Sequence, residues 1–254
     1  MKASFDFSGT SVLVTGASRG IGYGVAEGFA KAGADLIVLA ESDRIAEAAE
    51  ALPGNVRAIR CDISDRAAVS AALADIAALD VLVNNAGLER PTPLTGGAEA
   101  VENFDRVIDI NVKGTENVTR ALISRIRDGG RIILTSSIWG KTAVAEFSAY
   151  VASKHANIGL MRAWSKELGP RGITVNAVCP GWVRTDAAMA SLRAMAARTG
   201  QPEQALLDEI IAGQSLGGLM QPADMAGLYL YLASDAAANI TGQAINIDRG
   251  EVMA

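Results

Sequence analysis

The sequence of 254 residues contains a single histidine, His155, and only two cysteines, Cys61 and Cys179. One histidine excludes metal centres and hydrolytic sites that are built on clustered histidines. Two cysteines are too few for a disulfide framework or a four-ligand zinc site, so both are expected to be buried free thiols. We therefore expect no metal, and any acid–base chemistry has to use other side chains.

Long apolar runs and an excess of positive charge are missing as well. No stretch approaches the roughly 20 uninterrupted apolar residues of a membrane helix, and residues 1–9 lack the apolar segment of a secretory signal. The net charge of −5 argues against a surface for nucleic acid or an anionic membrane. The expected partner is a small molecule, and the expected location is the cytoplasm.

The chain is rich in apolar residues and glycine: 50% of it is hydrophobic, and 26 residues are glycine. A chain of this length can bury a full core. Short β-rich runs alternate with alanine-rich segments of helical spacing, such as 24–32, 66–77, 100–126 and 149–168. The runs cover residues 11–14, 36–39, 56–61, 81–83, 131–135, 173–178 and 244–247.

These runs are continuously apolar, which is typical of strands buried on both faces. Strand–helix alternation predicts a parallel sheet with right-handed crossovers. The sequence therefore predicts an α/β fold, a doubly wound parallel sheet of about seven strands with helices on both faces, in a single domain over 1–254. The alternation breaks at about 185–221, which we interpret as a lid over the substrate.

A glycine-rich turn between the first strand and the first helix reads Thr15-Gly16-Ala17-Ser18-Arg19-Gly20-Ile21-Gly22. Glycine permits positive φ and close approach of a pyrophosphate, and the helix N-terminus offers N–H donors to the anion. The Gly-x3-Gly-x-Gly spacing differs from the usual Gly-x-Gly-x2-Gly dinucleotide fingerprint. A turn that only packs the helix on the sheet is the alternative.

Glu41 follows the second strand and is the nearest acidic candidate for contact with an adenosine ribose. A carboxylate there repels a 2′-phosphate and favours NAD over NADP, whereas the guanidinium of Arg19 would pair with that phosphate. The balance favours NAD. A solvated Glu41 that opens the next helix is the alternative.

Tyr150 and Lys154 lie four residues apart in a predicted helix, and therefore on one face of it. An ordinary tyrosine has a pKa near 10; an ammonium together with an oxidised nicotinamide is expected to lower it. Ser137 ends the fifth strand, at the sheet edge where ligands bind. Without Ser137, a tyrosine that merely packs with its hydroxyl exposed would be the simpler interpretation of the pair.

Further motifs follow the same edge. Asn84-Asn85-Ala86-Gly87 ends the fourth strand, Asn111 lies in the next helix, and Pro180-Gly181 ends the sixth strand. With these motifs in this order, the chain resembles the short-chain dehydrogenase/reductase family, in its compact single-domain branch, from Thr15 to Asp248. The resemblance implies a Rossmann-type fold and hydride transfer between a nicotinamide cofactor and a secondary alcohol or ketone.

The resemblance also implies a role for each matching residue. Tyr150 is the expected general acid–base, Lys154 stabilises its phenolate, Ser137 holds the substrate oxygen, and Asn111 positions a water in a proton relay. The implied cofactor contacts are Gly16, Ser18, Arg19, Gly20, Ile21, Gly22, Glu41, Asp62, Ile63, Asn84, Ala86, Gly87, Tyr150, Lys154, Pro180, Gly181, Val183 and Thr185. The expected substrate contacts are Arg90, Ser137, Trp139, Tyr150 and Trp182.

The substrate is the least determined part. Arg90 is a candidate clamp for a carboxylate, with a solvated loop arginine as the alternative. The expected substrate is a small hydroxy acid, sugar acid or polyol. Two other functions stay open: an NADPH-dependent reductase of 3-oxoacyl thioesters, and a dinucleotide-binding module without activity.

Assembly is expected to be homo-oligomeric, because members of the family are usually tetramers or dimers. Apolar residues beyond one core-facing stripe of the helix at 149–168, namely Ile158, Met161 and Trp164, point to a subunit contact. His155 is interpreted as a packing or interface residue. Asp248-Arg249-Gly250-Glu251 departs from the Asp-Gly-Gly frequent in the family, which affects the expectation about subunit contacts.

Overall fold

The computed structural model describes residues 4–253. The two ends of the expected domain, residues 1–3 and residue 254, lie outside the described residues, and so does the start of the segment judged not to be a secretory signal. None of the helices in the described part of the chain combines the length and the apolar character needed to cross a membrane.

Seven strands form one parallel sheet, in the order β3-β2-β1-β4-β5-β6-β7. The strands are β1 Ser11–Thr15, β2 Asp35–Ala40, β3 Val56–Arg60, β4 Leu79–Asn84, β5 Ile126–Thr135, β6 Thr174–Pro180 and β7 Ala244–Ile247. The strand order reverses between β1 and β4, which opens a crevice at their carboxyl ends. The predicted doubly wound sheet is confirmed.

Within residues 4–253, nine α-helices connect and cover the strands. They are α1 Gly20–Lys31, α2 Arg44–Ala51, α3 Arg66–Ala72, α4 Ala98–Ile108, α5 Thr115–Leu122, α6 Ser148–Leu168, α7 Asp186–Thr199, α8 Glu203–Ala212 and α9 Pro222–Ala233. Buried residues of α1, α2 and α9 pack on one face of the sheet, and those of α3, α5 and α6 pack on the other. Val12 and Leu13, adjacent in β1, point into these two different cores.

The predicted helix over 100–126 is wrong as a single element. Helix α4 ends at Ile108, a π-helical turn spans Asp109–Gly114, α5 follows, and β5 already begins at Ile126. At Gly114 a Cβ atom would lie only 2.6 Å from Cγ1 of Ile63, so this turn packs tightly against the loop after β3. Asn111, in the middle of the turn, is completely buried.

The predicted burial of strands on both faces is not observed for the two edge strands of the sheet, β3 and β7. Arg57, Ala58 and Arg60 of β3 are exposed, and all four residues of β7 are only half-buried. Both strands have a neighbour on one side only, so fewer elements cover them. The central strands do have the predicted continuous burial.

The subunit contact inferred from α6 also needs correction. Ile158 and Met161 are 5% and 0% exposed and belong to the core under the sheet, and the half-buried Trp164 packs against the same core. They are core residues and give no evidence of an interface. His155 is exposed, with its Nδ1 3.0 Å from the Val151 carbonyl oxygen, so it is not a packing residue. Both cysteines are buried free thiols, as predicted.

The interval 185–221 contains α7 and α8, which form a small apolar cluster of their own. Leu192, Ala196 and Leu206 are buried there together with Trp182 from the loop after β6. This cluster is separate from the two cores that flank the sheet. It seats the two helices over the carboxyl edge, next to the crevice.

Candidate active site

A cavity of about 410 Å³ lies at the carboxyl edge of the sheet. Parallel strands end at the same edge, so residues far apart in sequence meet there. The predicted site residues that line it are Gly16, Ser18, Arg19, Gly20, Ile21, Gly22, Glu41, Asp62, Ile63, Ala86, Gly87, Arg90, Ser137, Trp139, Tyr150, Lys154, Pro180, Gly181, Trp182, Val183 and Thr185.

Two predicted site residues, Asn84 and Asn111, do not line the cavity. Asn84 is buried, and its Nδ2 donates to Oγ1 of Thr119, 2.9 Å away, on the far side of β4. The next residue, Asn85, lines the cavity instead and donates to the Thr15 carbonyl oxygen. Successive side chains of a strand point to opposite faces, and the sequence motif alone does not reveal which asparagine points inward.

The glycine-rich turn has the shape of an anion cradle. Gly16 has φ +68°, and a Cβ there would lie 2.7 Å from Cα of Ala86. Helix α1 begins at Gly20, no side chain caps it, and its first turn contains no acidic residue. The free N–H groups at the start of α1 therefore carry a partial positive charge that no side chain of the first turn compensates. Gly20, Ile21 and Gly22 line the cavity, and this helix start fits a dinucleotide pyrophosphate.

The expected adenosine end of the cavity contains a charge cluster. Nη2 of Arg106 lies 2.9 Å from the Asp62 carboxylate and 3.6 Å from that of Glu41, which is exposed. Burial raises the pKa of Asp62, but hydrogen bonds from Arg106 and Ser64 outweigh it and lower the pKa overall. Sequence reasoning missed Arg106, because it comes from α4, 44 residues beyond Asp62.

Lys154 is held by the end of β5. Its Nζ donates to the Thr135 carbonyl oxygen at 2.8 Å, and its own carbonyl oxygen accepts from Oγ of Ser136 at 2.9 Å. Nζ lies 5.4 Å from the centre of the Tyr150 ring. Burial lowers the pKa of Lys154 to about 8.

The pKa of Tyr150 is shifted in the direction opposite to the one expected from the sequence. Burial of its hydroxyl raises its pKa well above the ordinary value, the carboxylate of Glu89 adds to the rise, and the Ser137 side chain opposes it. Lys154 is not among the groups that shift the pKa of Tyr150, although its Nζ lies 5.4 Å from the centre of the ring. The direction is opposite to the lowering that the sequence suggested, and a positive charge beside the phenol would favour its ionised form.

The substrate end of the cavity has aromatic walls. The ring of Trp139 lies 6.0 Å from that of Tyr150 and 6.2 Å from that of Trp182, both edge-on, and 5.8 Å from that of Phe147. Arg90 lines the mouth of the cavity but is exposed. These rings leave room for a small substrate.

Glu89, which was not among the predicted site residues, is the acidic side chain of this end. It lines the cavity, and its Oε1 accepts a 2.6 Å hydrogen bond from Oγ of Ser191 in α7. Burial raises its pKa. In the sequence, Glu89 lies two residues after Asn84–Gly87, and Arg90 is its neighbour. The sequence does not distinguish the two; the packing of the folded chain does.

Comparisons with known proteins agree with this geometry. Residues 16–251 match the family model described as Enoyl-(Acyl carrier protein) reductase. Oxidoreductase UcpA of Salmonella typhimurium is 39% identical over 256 residues, covering 97% of this chain and 95% of that protein. The monensin polyketide synthase putative ketoacyl reductase of Streptomyces virginiae is 42% identical over 255 residues, 94% of this chain and 95% of that protein. D-beta-hydroxybutyrate dehydrogenase of Cupriavidus necator is 34% identical over 257 residues, 96% and 98% of the two chains.

Two solved structures have the same fold. A short chain dehydrogenase from Burkholderia cenocepacia in complex with NADP superposes with a TM-score of 0.84 at 32% identity, over 96% of this chain and 98% of that chain. A 3-oxoacyl-[acyl-carrier protein] reductase from Brucella melitensis with bound NAD gives 0.85 at 32% identity, over 97% and 92%. This chain belongs to the short-chain dehydrogenase/reductase family, and it is an NAD(P)-dependent oxidoreductase that acts on CH–OH groups.

Proposed function

We propose that this chain interconverts a small secondary alcohol and its ketone, with Tyr150, Lys154, Ser137 and Asn111 as its working residues in one catalytic domain. The observation that carries the proposal is the Tyr150–Lys154 pair at the cavity, with Ser137 beside the phenol. A nicotinamide bound in the cavity supplies or accepts the hydride.

Each residue has a task that its contacts permit. Ser137 Oγ accepts a hydrogen bond from the Trp139 N–H at 3.1 Å, which leaves its own proton free to donate to a substrate oxygen. The Tyr150 hydroxyl exchanges a proton with that oxygen, and the Lys154 ammonium stabilises the phenolate. A binding module without activity has no need for such a set.

The proposed cofactor is NAD in preference to NADP. Arg106 is already paired with Asp62 and Glu41, and Arg60 is paired with Asp43 at 2.6 Å, so two nearby guanidinium groups are neutralised. Glu41 adds a negative charge where the 2′-phosphate of NADP would lie. Arg19 opposes this preference.

The proposed substrate is a small hydroxy acid, sugar acid or polyol. The aromatic walls support a small molecule. A 3-oxoacyl thioester is the second candidate, because the ketoacyl reductase of Streptomyces virginiae and the 3-oxoacyl reductase of Brucella melitensis resemble this chain.

The test is a panel of polyols, sugar acids, hydroxy acids and a 3-oxoacyl thioester, each run with NAD(H) and NADP(H), following absorbance of the reduced nicotinamide. Turnover of small alcohols with NAD supports the proposal. Turnover of the thioester alone, with NADPH, supports the second candidate. Glu41→Ala is expected to improve kcat/KM for NADP about tenfold. An unchanged ratio of the kcat/KM values for NAD and NADP would show that Glu41 does not set the cofactor preference.

A homo-oligomer is also proposed. Ile158 and Met161 are core residues and do not indicate a subunit contact. Leu94, Val101 and Phe104, however, are large apolar side chains that are 99%, 61% and 41% exposed. Large apolar side chains left in solvent favour association. Sedimentation equilibrium of the wild-type chain and of Val101→Lys checks it; a wild-type monomer contradicts the proposal.

A further inference from the structure

We propose that Glu89 is a specificity-determining residue whose carboxylate selects neutral, hydroxyl-bearing substrates over substrates with an anionic group near the reacting carbon. The inference rests on the proposed function of the same cavity and narrows its substrate class to small polyols and hydroxy ketones.

The loop that carries Glu89 has a fixed position. Leu88 is bound through both its N–H and its carbonyl oxygen to the side chain of Asn111. One residue earlier, a Cβ on Gly87 would lie 3.5 Å from Nζ of Lys154, so the backbone passes directly beside the catalytic pair. Glu89 therefore leaves the loop at a defined point next to Lys154.

The side chain of Glu89 lines the same cavity as Tyr150 and Lys154. The Glu89 carboxylate adds to the rise in the pKa of Tyr150, and Lys154 opposes the rise in the pKa of Glu89. Oε1 accepts from Oγ of Ser191, so α7 holds one oxygen. The other oxygen, Oε2, accepts no hydrogen bond from the described part of the chain, and it is the acceptor we assign to a substrate hydroxyl.

The positive charge of Arg90 does not cancel the negative charge of Glu89 at this end of the cavity. Its side chain is exposed, and its Nη1 donates to the backbone carbonyl oxygen of Glu89 at 3.0 Å. A charge in solvent is screened by water and salt, whereas a half-buried carboxylate such as that of Glu89 is screened much less. Lys154 is the other cation, and its ammonium is bonded to Thr135.

The chemistry of a carboxylate then sets the preference. It accepts a strong hydrogen bond from a hydroxyl and repels a second carboxylate or a phosphate. Specificity of this kind comes as much from rejecting the wrong group as from binding the right one. The walls formed by Trp139 and Trp182 keep the accepted molecule small.

The experiment uses two ketones that differ in one group: 4-hydroxy-2-butanone carries a hydroxyl where acetoacetate carries a carboxylate. For the wild type, kcat/KM with NADH is expected to favour the neutral ketone at least about tenfold. Glu89→Gln keeps the size of the side chain and removes its charge, and it should shrink this ratio about tenfold, or about 1.4 kcal/mol.

Two matched variants isolate the charge of Glu89. Ser191→Ala removes the hydrogen bond from α7 but keeps the carboxylate, so the preference for the neutral ketone should persist. Glu99→Gln removes an exposed carboxylate from α4, outside the cavity, and should leave the ratio at the wild-type value. A similar loss of preference in Glu89→Gln and Glu99→Gln would contradict the inference.

A binding readout separates this inference from the proposed function. Trp139 and Trp182 line the cavity, so quenching of tryptophan fluorescence reports Kd for each ketone without turnover. A ratio of Kd values that shifts in Glu89→Gln supports the inference even if neither ketone is reduced, an outcome that would count against the proposed function alone. An unchanged ratio, a wild-type preference for acetoacetate, or no binding of either ketone overturns the inference.

Discussion

Asn111 binds both backbone polar groups of Leu88: its Oδ1 accepts from the Leu88 N–H at 2.7 Å, and its Nδ2 donates to the Leu88 carbonyl oxygen at 2.9 Å. Nδ2 also donates to Oγ of Ser153 in α6, at 2.9 Å. One buried amide thus ties the loop after β4 to the helix that carries Tyr150 and Lys154. Both hydrogens of Nδ2 and one lone pair of Oδ1 are therefore engaged within the chain.

Replacing Asn111 should loosen this junction. Asn111→Ala leaves the part-buried N–H and carbonyl groups of Leu88 without their side-chain partner, and a group left unsatisfied on burial costs about 1–3 kcal/mol. The free energy of unfolding, measured by urea denaturation, is expected to fall by about 3 kcal/mol. Ser153→Ala removes one of the three hydrogen bonds of Asn111 and the bond from Ser153 Oγ to the Tyr150 carbonyl oxygen, and it should cost about 1–2 kcal/mol. Equal losses in the two variants would contradict the clamp.

Tyr150→Phe should abolish turnover and leave cofactor binding intact. The variant keeps the ring that packs against Trp139 and removes only the hydroxyl. Loss of a general acid–base lowers kcat by about 10²- to 10⁴-fold. Steady-state kinetics gives kcat, and the fluorescence of bound NADH gives the cofactor Kd.

The matched control for Tyr150→Phe is Tyr231→Phe. Tyr231 packs against the core from α9 and does not line the cavity. Its kcat should stay at the wild-type value. A Tyr150→Phe variant with near-normal kcat would remove Tyr150 from proton transfer.

Lys154 should make stability depend on pH. Burial lowers its pKa from 10.5 to about 8, so between these values the unfolded chain binds more protons than the folded chain. The penalty for burying this charge is full below the folded pKa and disappears as the pH rises. The free energy of unfolding should therefore gain, from this residue, on the order of 3 kcal/mol between about pH 8 and pH 10.5.

Comparison with Lys154→Met isolates that contribution. The difference in free energy of unfolding between wild type and Lys154→Met should change in favour of the wild type as the pH rises from about 8 to about 10. Lys166→Met, at an exposed position on the same helix, should show no such pH-dependent difference. Parallel curves for wild type and Lys154→Met would contradict the buried charge.

Gly16 and Gly54 form a matched pair for the glycine-rich turn. Both have positive φ, +68° and +88°, but a Cβ on Gly54 meets nothing within 4 Å, whereas one on Gly16 would meet the backbone of Ala86. Gly54→Ala should cost about 1–2 kcal/mol from backbone strain alone. Gly16→Ala should cost clearly more and weaken NADH binding, as checked by urea denaturation and fluorescence titration. Equal costs would show that the close approach to Ala86 is unimportant.

The sequence alone was sufficient for the features that depend on local patterns. Apolar runs indicated the central strands, and strand–helix alternation indicated a parallel, doubly wound sheet of about seven strands. The glycines after β1 and the four-residue spacing of Tyr150 and Lys154 were readable for the same reason, since turn conformation and helix periodicity are set by neighbours in the chain.

Only the tertiary structure decided which way ambiguous side chains point. Asn85 lines the cavity whereas Asn84 does not, and of the two cavity-lining residues Glu89 and Arg90, Glu89 is half-buried and Arg90 is exposed. It also decided that Ile158 is a core residue of α6. Adjacent residues have the same local sequence environment, so their orientation and burial depend on elements that are distant in the sequence. Here these elements are α7, whose Ser191 hydroxyl binds Glu89, and the π-helical turn, whose Asn111 binds the preceding residue, Leu88.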